Sequence, residues 1–482
     1  MARTFAAWPW VAASVLVAGP AWGQQTPGKS PDTRTPVVQP VAPKANYPKP
    51  QVQLLTPPFA GEGQGSAKGP LADFGKSLAD KGVYLRFLAV DEFAASVSGG
   101  QEKGSGNSYA LPFGADLDFG RIAGLDGTRV HISMNVSKGS SLSADHAGNA
   151  VSFQTRYKTF QNLRLAALAI EQNLFDGKVN ISGGRVSPLT YFNQSNIYCT
   201  FQNNSVCFNP AVVPIQDKAL GFFPYGTWGG RVKVAPTKGF YVQAGVFEAN
   251  PSLVSTNGFD WSTRSSTGHQ TVFEIGYQSP SPKAKYPWHL RVGGYHNTSD
   301  VADPYLNGRR QPRLTAGGAP LMHAGQAGWY VMGDAVAAHL GDRKRPVTLF
   351  GGVIASTGNY LPFKSQAIAG VIVTGPFASR PDDTLGLVGS YIRLGSRQVD
   401  FLQASRAAAG GTDAVHSGEG IFELNYGLAV ARGIRFSPNI QYVMNPDNLP
   451  RPRALRQSKD ILAFGMRLSV DFAAILGLPA MR

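Results

Sequence analysis

The sequence predicts an all-β fold, a transmembrane antiparallel β-barrel of about sixteen strands. Three observations lead there. Apolar and polar side chains alternate with period two over most of the chain. The connections follow a regular long/short rhythm. No stretch beyond the N-terminal leader offers about 18 uncharged apolar residues, so the mature chain could enter a membrane only as a barrel.

Composition agrees. The chain has 482 residues, 43% of them hydrophobic, with 56 Gly and 34 Pro. Charged residues make up 16%, below the usual share of about a quarter in soluble domains. The length would suit two or three soluble domains, but one large barrel spreads it over a single closed wall. The net charge is +15, from basic residues that are scattered, with no run beyond Arg343-Lys344-Arg345. Without a basic helix, nucleic acid is not an expected partner. The charge fits a surface facing anionic headgroups, or a pore that prefers anions.

The elements follow in order. Residues 1–23 read as a Sec-type signal peptide: Arg3 is the positive region, Ala6 to Val17 the apolar region, and Ala21-Trp-Gly23 the cleavage site before Gln24. Residues 24–70 are Pro-rich and aperiodic, and are expected to be a disordered periplasmic linker. The barrel is expected over 71–472, with 473–482 a short C-terminal extension.

Alternation is clearest in Arg129–Ser137, Ile434–Tyr442 and Leu462–Phe472. Each sends one apolar and one polar row to opposite faces and has the length a tilted strand needs to cross a bilayer. The strands are expected at 83–93, 109–119, 128–138, 162–172, 177–185, 228–236, 240–248, 270–278, 288–297, 327–338, 346–356, 366–374, 384–394, 419–430, 433–443 and 462–472. If the first runs outward, the connections at 94–108, 139–161, 186–227, 249–269, 298–326, 357–365, 395–418 and 445–461 are extracellular and mostly long. Those at 120–127, 173–176, 237–239, 279–287, 339–345, 375–383 and 431–432 are periplasmic and mostly short. This is the topology of outer-membrane barrels, and Asp176-Gly177, Pro236 to Gly239 and Arg432-Gly433 supply turn chemistry.

Four stretches in order carry a family likeness: Ala169–Arg185, Gly293–Asp303, Arg380–Leu387, and Glu423-Leu-Asn-Tyr426 followed by Pro438–Tyr442 and Asn445-Pro446. With them the chain resembles the carbohydrate-selective porin family, OprB, from about Leu71 to Phe472. The resemblance implies a sixteen-stranded barrel in the bacterial outer membrane, with extracellular loops folded inward to narrow a pore for passive diffusion of glucose-like sugars. Outer-membrane lipid and lipopolysaccharide are the surroundings expected with it; porins often form trimers, but strand alternation does not show which wall would pack. Cys199–Cys207 resembles a loop of some members and lies in the longest expected loop. Its two cysteines, the chain's only ones, can form a local disulfide in an oxidising compartment. Outer-membrane barrels commonly end on an aromatic residue. Phe472 fits by pattern, yet Ala473 to Arg482 follow it.

A passive channel needs no nucleophile, metal or cofactor, and none is expected. It needs a lumen whose polar groups replace part of a solute's hydration without holding it tightly. Alternation points Arg86, His131, Asn135, Glu171, Arg231, Lys233, Glu274, Glu423, Asn425, Arg435, Gln441 and Arg467 inward. Such mixed charges suit sugar hydroxyls through charge-assisted hydrogen bonds. Glu171 and Glu423 stand inside family-like segments; they either contact solute or form structural salt bridges, with Arg185 or Arg435 the nearest candidates. Tyr109, Phe119, Tyr426, Tyr442 and Phe472 read as interfacial girdle residues.

Other classes leave weaker traces. An anion or phosphate channel would explain the positive charge but not the inward carboxylates. A barrel enzyme needs a Ser/His or Asp/His group at the rim, and no HExxH, GxSxG or metal-spaced histidine pair occurs. A soluble lectin-like protein has no reason for the loop rhythm.

Overall fold

The structure, a computed structural model, describes residues 66–195, 197–207, 212–281, 284–341 and 345–481. The expected signal peptide and the linker up to residue 65 lie outside these residues.

Sixteen antiparallel strands close into one barrel. In chain order they are β1 (Val83–Gly100), β2 (Ser105–Asp118), β3 (Thr128–Gly139), β4 (Leu163–Leu174), β5 (Val179–Val186), β6 (Thr227–Thr237), β7 (Phe240–Ala249), β8 (Gly268–Gln278) and β9 (Trp288–Asn297). A small sheet of β10 (Val301–Asn307) and β11 (Pro320–His323) interrupts the wall. The barrel then continues with β12 (Gln326–His339), β13 (Pro346–Ser356), β14 (Phe363–Thr374), β15 (Thr384–Leu394), β16 (Gly418–Ala431), β17 (Ile434–Met444) and β18 (Lys459–Asp471), which pairs with β1. Each expected span falls on a barrel strand. The largest difference is at β1 and β2, which reach Gly100 and start at Ser105 and so stand above the neighbouring wall.

The wall reverses the usual burial. Soluble proteins bury apolar side chains and expose charges. Here Ile170, Val246 and Leu349 are more than half exposed at 55%, 54% and 51%, while Glu92, Glu423 and Gln366 are fully buried. An outward apolar face around a closed ladder leaves no unpaired strand edge, the condition for β-structure in lipid. Among the described residues no helix is long and apolar enough to cross a membrane.

The inner face is not polar throughout. On β2–β6 and β16–β18 hydrophilic or small residues dominate it, as expected. On β12–β15 it carries Tyr330, Met332, Phe350, Ile354, Ile368, Ile372, Val388 and Ile392, all buried. These strands are apolar on both faces because the inner one packs protein, described below, instead of water.

The ends of the barrel chain meet at the short-turn end. The helix α1 (Ala72–Asp80) precedes β1. Ser66 N donates to Leu478 O at 3.0 Å and Leu71 N to Leu476 O at 2.8 Å, so the last residues of the expected linker are tied to the C-terminal tail. Phe472 corrects one expectation: β18 stops at Asp471, and Phe472 opens a short helix, Phe472–Leu476, capped by Asp471. Its ring still faces the wall, stacked on Phe87 at 4.7 Å. Phe119 likewise opens a short helix, Phe119–Ala123, beyond β2. Tyr426 and Tyr442 point outward with their hydroxyls donating to Asp383 and Asp460, both at 2.6 Å.

Candidate functional site

After Val186 the chain leaves the wall and fills the lumen before β6 begins at Thr227. Phe192, Phe201, Val206 and Val213 on this loop are wholly buried. With Leu189, Tyr198 and Val212 they form one apolar cluster with Phe247, Val272, Tyr330, Phe350, Ile354 and Val388 of the wall. Burying a side chain such as Phe192 contributes roughly 1.5–3 kcal/mol. The loop is therefore held against β7–β15 by its own small core.

On the opposite side polar groups tether it. Glu423 Oε1 accepts from Gln202 N at 2.8 Å, and Oε2 accepts from Asn203 N at 2.9 Å and Asn203 Nδ2 at 2.7 Å. Arg467 donates from Nη1 to Cys199 O at 2.6 Å and from Nη2 to Phe201 O at 2.8 Å. The same guanidinium pairs with Glu92 Oε1 at 2.7 Å. Glu92 and Arg467 are direct cross-strand partners over the β1–β18 closure, where opposite charges favour the register. Asn425 Nδ2 donates to Thr200 O at 2.6 Å, and Gln441 Nε2 to Phe153 O at 3.2 Å. The last contact belongs to a second inward loop, 140–162, whose Arg156 N donates to Glu92 Oε2 at 2.7 Å. Cys199 and Cys207 are joined by a disulfide, which closes the segment held by Glu423 and Arg467.

Glu274 is a tether from the other wall. Its oxygens accept from Asn193 N at 2.9 Å and from Tyr241 Oη, Gln243 Nε2 and Tyr330 Oη, each at 2.8 Å. The two tyrosines lie flat over glycines. A Cβ on Gly276 would stand 2.1 Å from the Tyr241 ring and one on Gly293 2.2 Å from that of Tyr330.

The remaining inward groups form a polar strip on β1–β6. Arg86 Nε lies 2.9 Å from Asp116, which also accepts from His131 Nδ1 at 2.8 Å. His131 Nε2 is 3.9 Å from Glu171, whose other oxygen accepts from Asn173 Nδ2 at 2.9 Å. Asn135 Nδ2 donates to Ser137 Oγ at 2.9 Å. Arg231 Nη1 donates to Gln243 Oε1 at 3.2 Å, and Lys233 Nζ stands 3.8 Å over the Tyr241 ring.

The structure places the residues that alternation pointed inward in three settings. Glu274, Glu423, Asn425, Gln441 and Arg467 hold loops. Arg86, His131, Asn135, Glu171, Arg231 and Lys233 form the polar strip, where Arg231 also lies over the Tyr191 ring of the loop at 4.7 Å. Arg435 sits at the short-turn rim, donating to Gly427 O at 2.9 Å and Asp382 O at 3.0 Å. Among the described residues neither suggested salt bridge is found: Glu423 binds loop N–H groups, Glu171 faces His131, and Arg185 donates to Asp260 O and Gly226 O. Alternation missed Glu92, because its row on β1 reads as apolar through Leu88, Val90 and Ala94. It also missed Asp116, Arg156 and Arg291. Of these, Asp116 and Arg291 lie on the inner row of spans already drawn as strands; Arg156 is in a loop, where period two carries no signal.

The family model described as carbohydrate-selective porin, OprB family, matches residues 102–472. Porin B of Pseudomonas aeruginosa is 28% identical over 401 residues, covering 79% of this chain and 87% of that one. A putative porin of Acinetobacter baylyi, QuiX, is 24% identical over 439 residues, covering 83% and 92%. The high-pH structure of Pseudomonas putida OprB superposes with a TM-score of 0.77 at 25% identity, covering 85% of this chain and 99% of that one.

Proposed function

Since this chain belongs to the carbohydrate-selective porin family, OprB, we propose that its lumen is the path by which glucose-like sugars diffuse passively across the bacterial outer membrane. The observation that carries this reading is the tethered loop beside a polar strip. The loop fills one side of the barrel with an apolar core, and the strip on β1–β6 stays lined by groups that hydrogen-bond hydroxyls. A small neutral polyol moving along that strip would find replacement hydrogen bonds at each step.

In this reading Arg86, His131, Asn135, Glu171, Arg231 and Lys233 line the passage, and the tethers set its width. The long loops face the cell exterior and the short turns the periplasm. Cleavage after Gly23, a periplasmic Pro-rich segment to residue 70, contact of the outward wall with lipid and lipopolysaccharide, and homotrimer assembly belong to the same reading. N-terminal sequencing and cross-linking in membranes test them. The family and fold are those of a channel, and no catalysis is proposed. In planar bilayers the pure protein should conduct ions weakly, with glucose lowering the current. A current indifferent to every sugar overturns the proposal.

A further inference from the structure

The porin reading leaves the charge of the solute open, and the wall of β6–β9 bears on it. Among the described residues, the inward charged groups there are Arg231, Lys233, Glu274 and Arg291, with His289 paired to Asp334 at 2.7 Å. Three cations thus share these strands with one carboxylate, Glu274, whose oxygens are already taken by four donors, while Glu171 and Asp334 reach them from β4 and β12.

Lys233 is 6% exposed. Its ammonium group rests on the Tyr241 ring and makes no hydrogen bond or ion pair among the described residues. Arg291 Nη1 is buried without a hydrogen-bond partner, and so is Asn180 Oδ1. Asn180 is the direct cross-strand neighbour of Lys233, and Arg291 that of Gly276, beside which Tyr241 lies. Arg291 also bonds Tyr241, and Glu274, Glu171 and Asp334 act on the two cations only from a distance; a buried cation with no carboxylate in contact is costly, and a passing anion offsets that cost. A carboxylate matches an ammonium and a guanidinium edge through charge-assisted hydrogen bonds. The adjacent Asn180 oxygen accepts from a hydroxyl.

We propose that Lys233, Arg291 and Asn180 form a station for monosaccharide carboxylates, aldonates or uronates, in the half of the lumen nearer the short turns. The station rests on the porin reading above and narrows its solute class to sugars that include acidic ones. Arg231 adds to its field, and Glu274 keeps the cations from repelling one another.

The test is solute block of ion current through the purified full-length protein in planar bilayers, with gluconate, glucose and acetate added in turn. Gluconate should half-block at a concentration lower than glucose or acetate by about tenfold, the worth of one charge-assisted contact. Lys233→Gln should abolish gluconate's advantage over glucose, and Lys233→Arg should keep it. Equal block by gluconate and glucose in the unaltered protein overturns the station, as does acetate matching gluconate or an advantage that survives Lys233→Gln. If glucose still blocks in those cases, the porin reading stands without the station. If no solute blocks, both fall.

Discussion

Removing the Glu423 carboxylate should loosen the constriction without opening the barrel. The side chain is fully buried and accepts from Gln202 N, Asn203 N and Asn203 Nδ2. In Glu423→Ala the Asn203 side chain can turn elsewhere, but two backbone N–H groups lose their acceptor. A buried donor left unsatisfied costs roughly 1–3 kcal/mol, so docking of this loop segment weakens by about 2–6 kcal/mol. Even the lower figure shifts the ratio of docked to undocked loop by about thirtyfold. The apolar cluster around Phe192 and Phe201 still holds the rest of the loop, and the ladder between β16 and β17 is untouched. The expected result is a larger and noisier single-channel conductance, while the protein keeps the heat-modifiable gel mobility of a closed barrel. Glu423→Gln should fall between, since one oxygen remains but an NH₂ group now faces donors. Unchanged conductance in a correctly folded Glu423→Ala barrel would refute the idea that this carboxylate sets the constriction.

Three further outcomes are expected. Replacing Cys199 and Cys207 by Ser removes a short closed loop worth about 2–3 kcal/mol by the chain-entropy relation. Current noise should rise, and the unaltered protein should titrate no free thiol when denatured without reductant. Leu349→Arg on the outward face should cost about 2–4 kcal/mol at the bilayer midplane, read as a lower urea midpoint for the folded band. At the short-turn end the hydrogen bonds from Arg380 hold the Asp383 carboxyl down at about 2, despite the opposing effect of burial, with Tyr426 and Ala429 N assisting. A depressed carboxyl stabilises the fold above its unfolded value near 3.8 and loses that contribution as pH falls toward 2. Acid-dependent thermal unfolding should therefore show a drop over that window that Asp383→Asn lacks.

The strand pattern was legible wherever one face is apolar and the other hydrophilic. Arg129–Ser137, Ile434–Tyr442 and Leu462–Phe472 satisfy that condition, and all of them lie on strands except Phe472, which opens the C-terminal helix. The signal fades on β13 and β14 because Phe350, Ile354, Ile368 and Ile372 point inward at a protein loop, so both faces are apolar and period two vanishes. The helix Ser396–Ala408 escaped notice for a related reason. Its buried side is Gln398, Leu402, Ser405 and Arg406, a helical row with too little apolar character to stand out. Inward direction could be read for each site residue, since it depends only on parity along a strand. The division between tethers and polar strip could not, because it depends on where a long aperiodic loop lands: Glu423 and Asn425 read alike with Lys233 until Gln202 and Asn203 are placed beside them.

The most direct test is swelling of liposomes that carry the unaltered protein, bathed in sugars of graded size. A path bounded by the tethered loop and the β1–β6 strip predicts fast entry of monosaccharides and a steep fall in rate through di- and trisaccharides. Equal rates for all sizes, or no entry of any sugar, would contradict it.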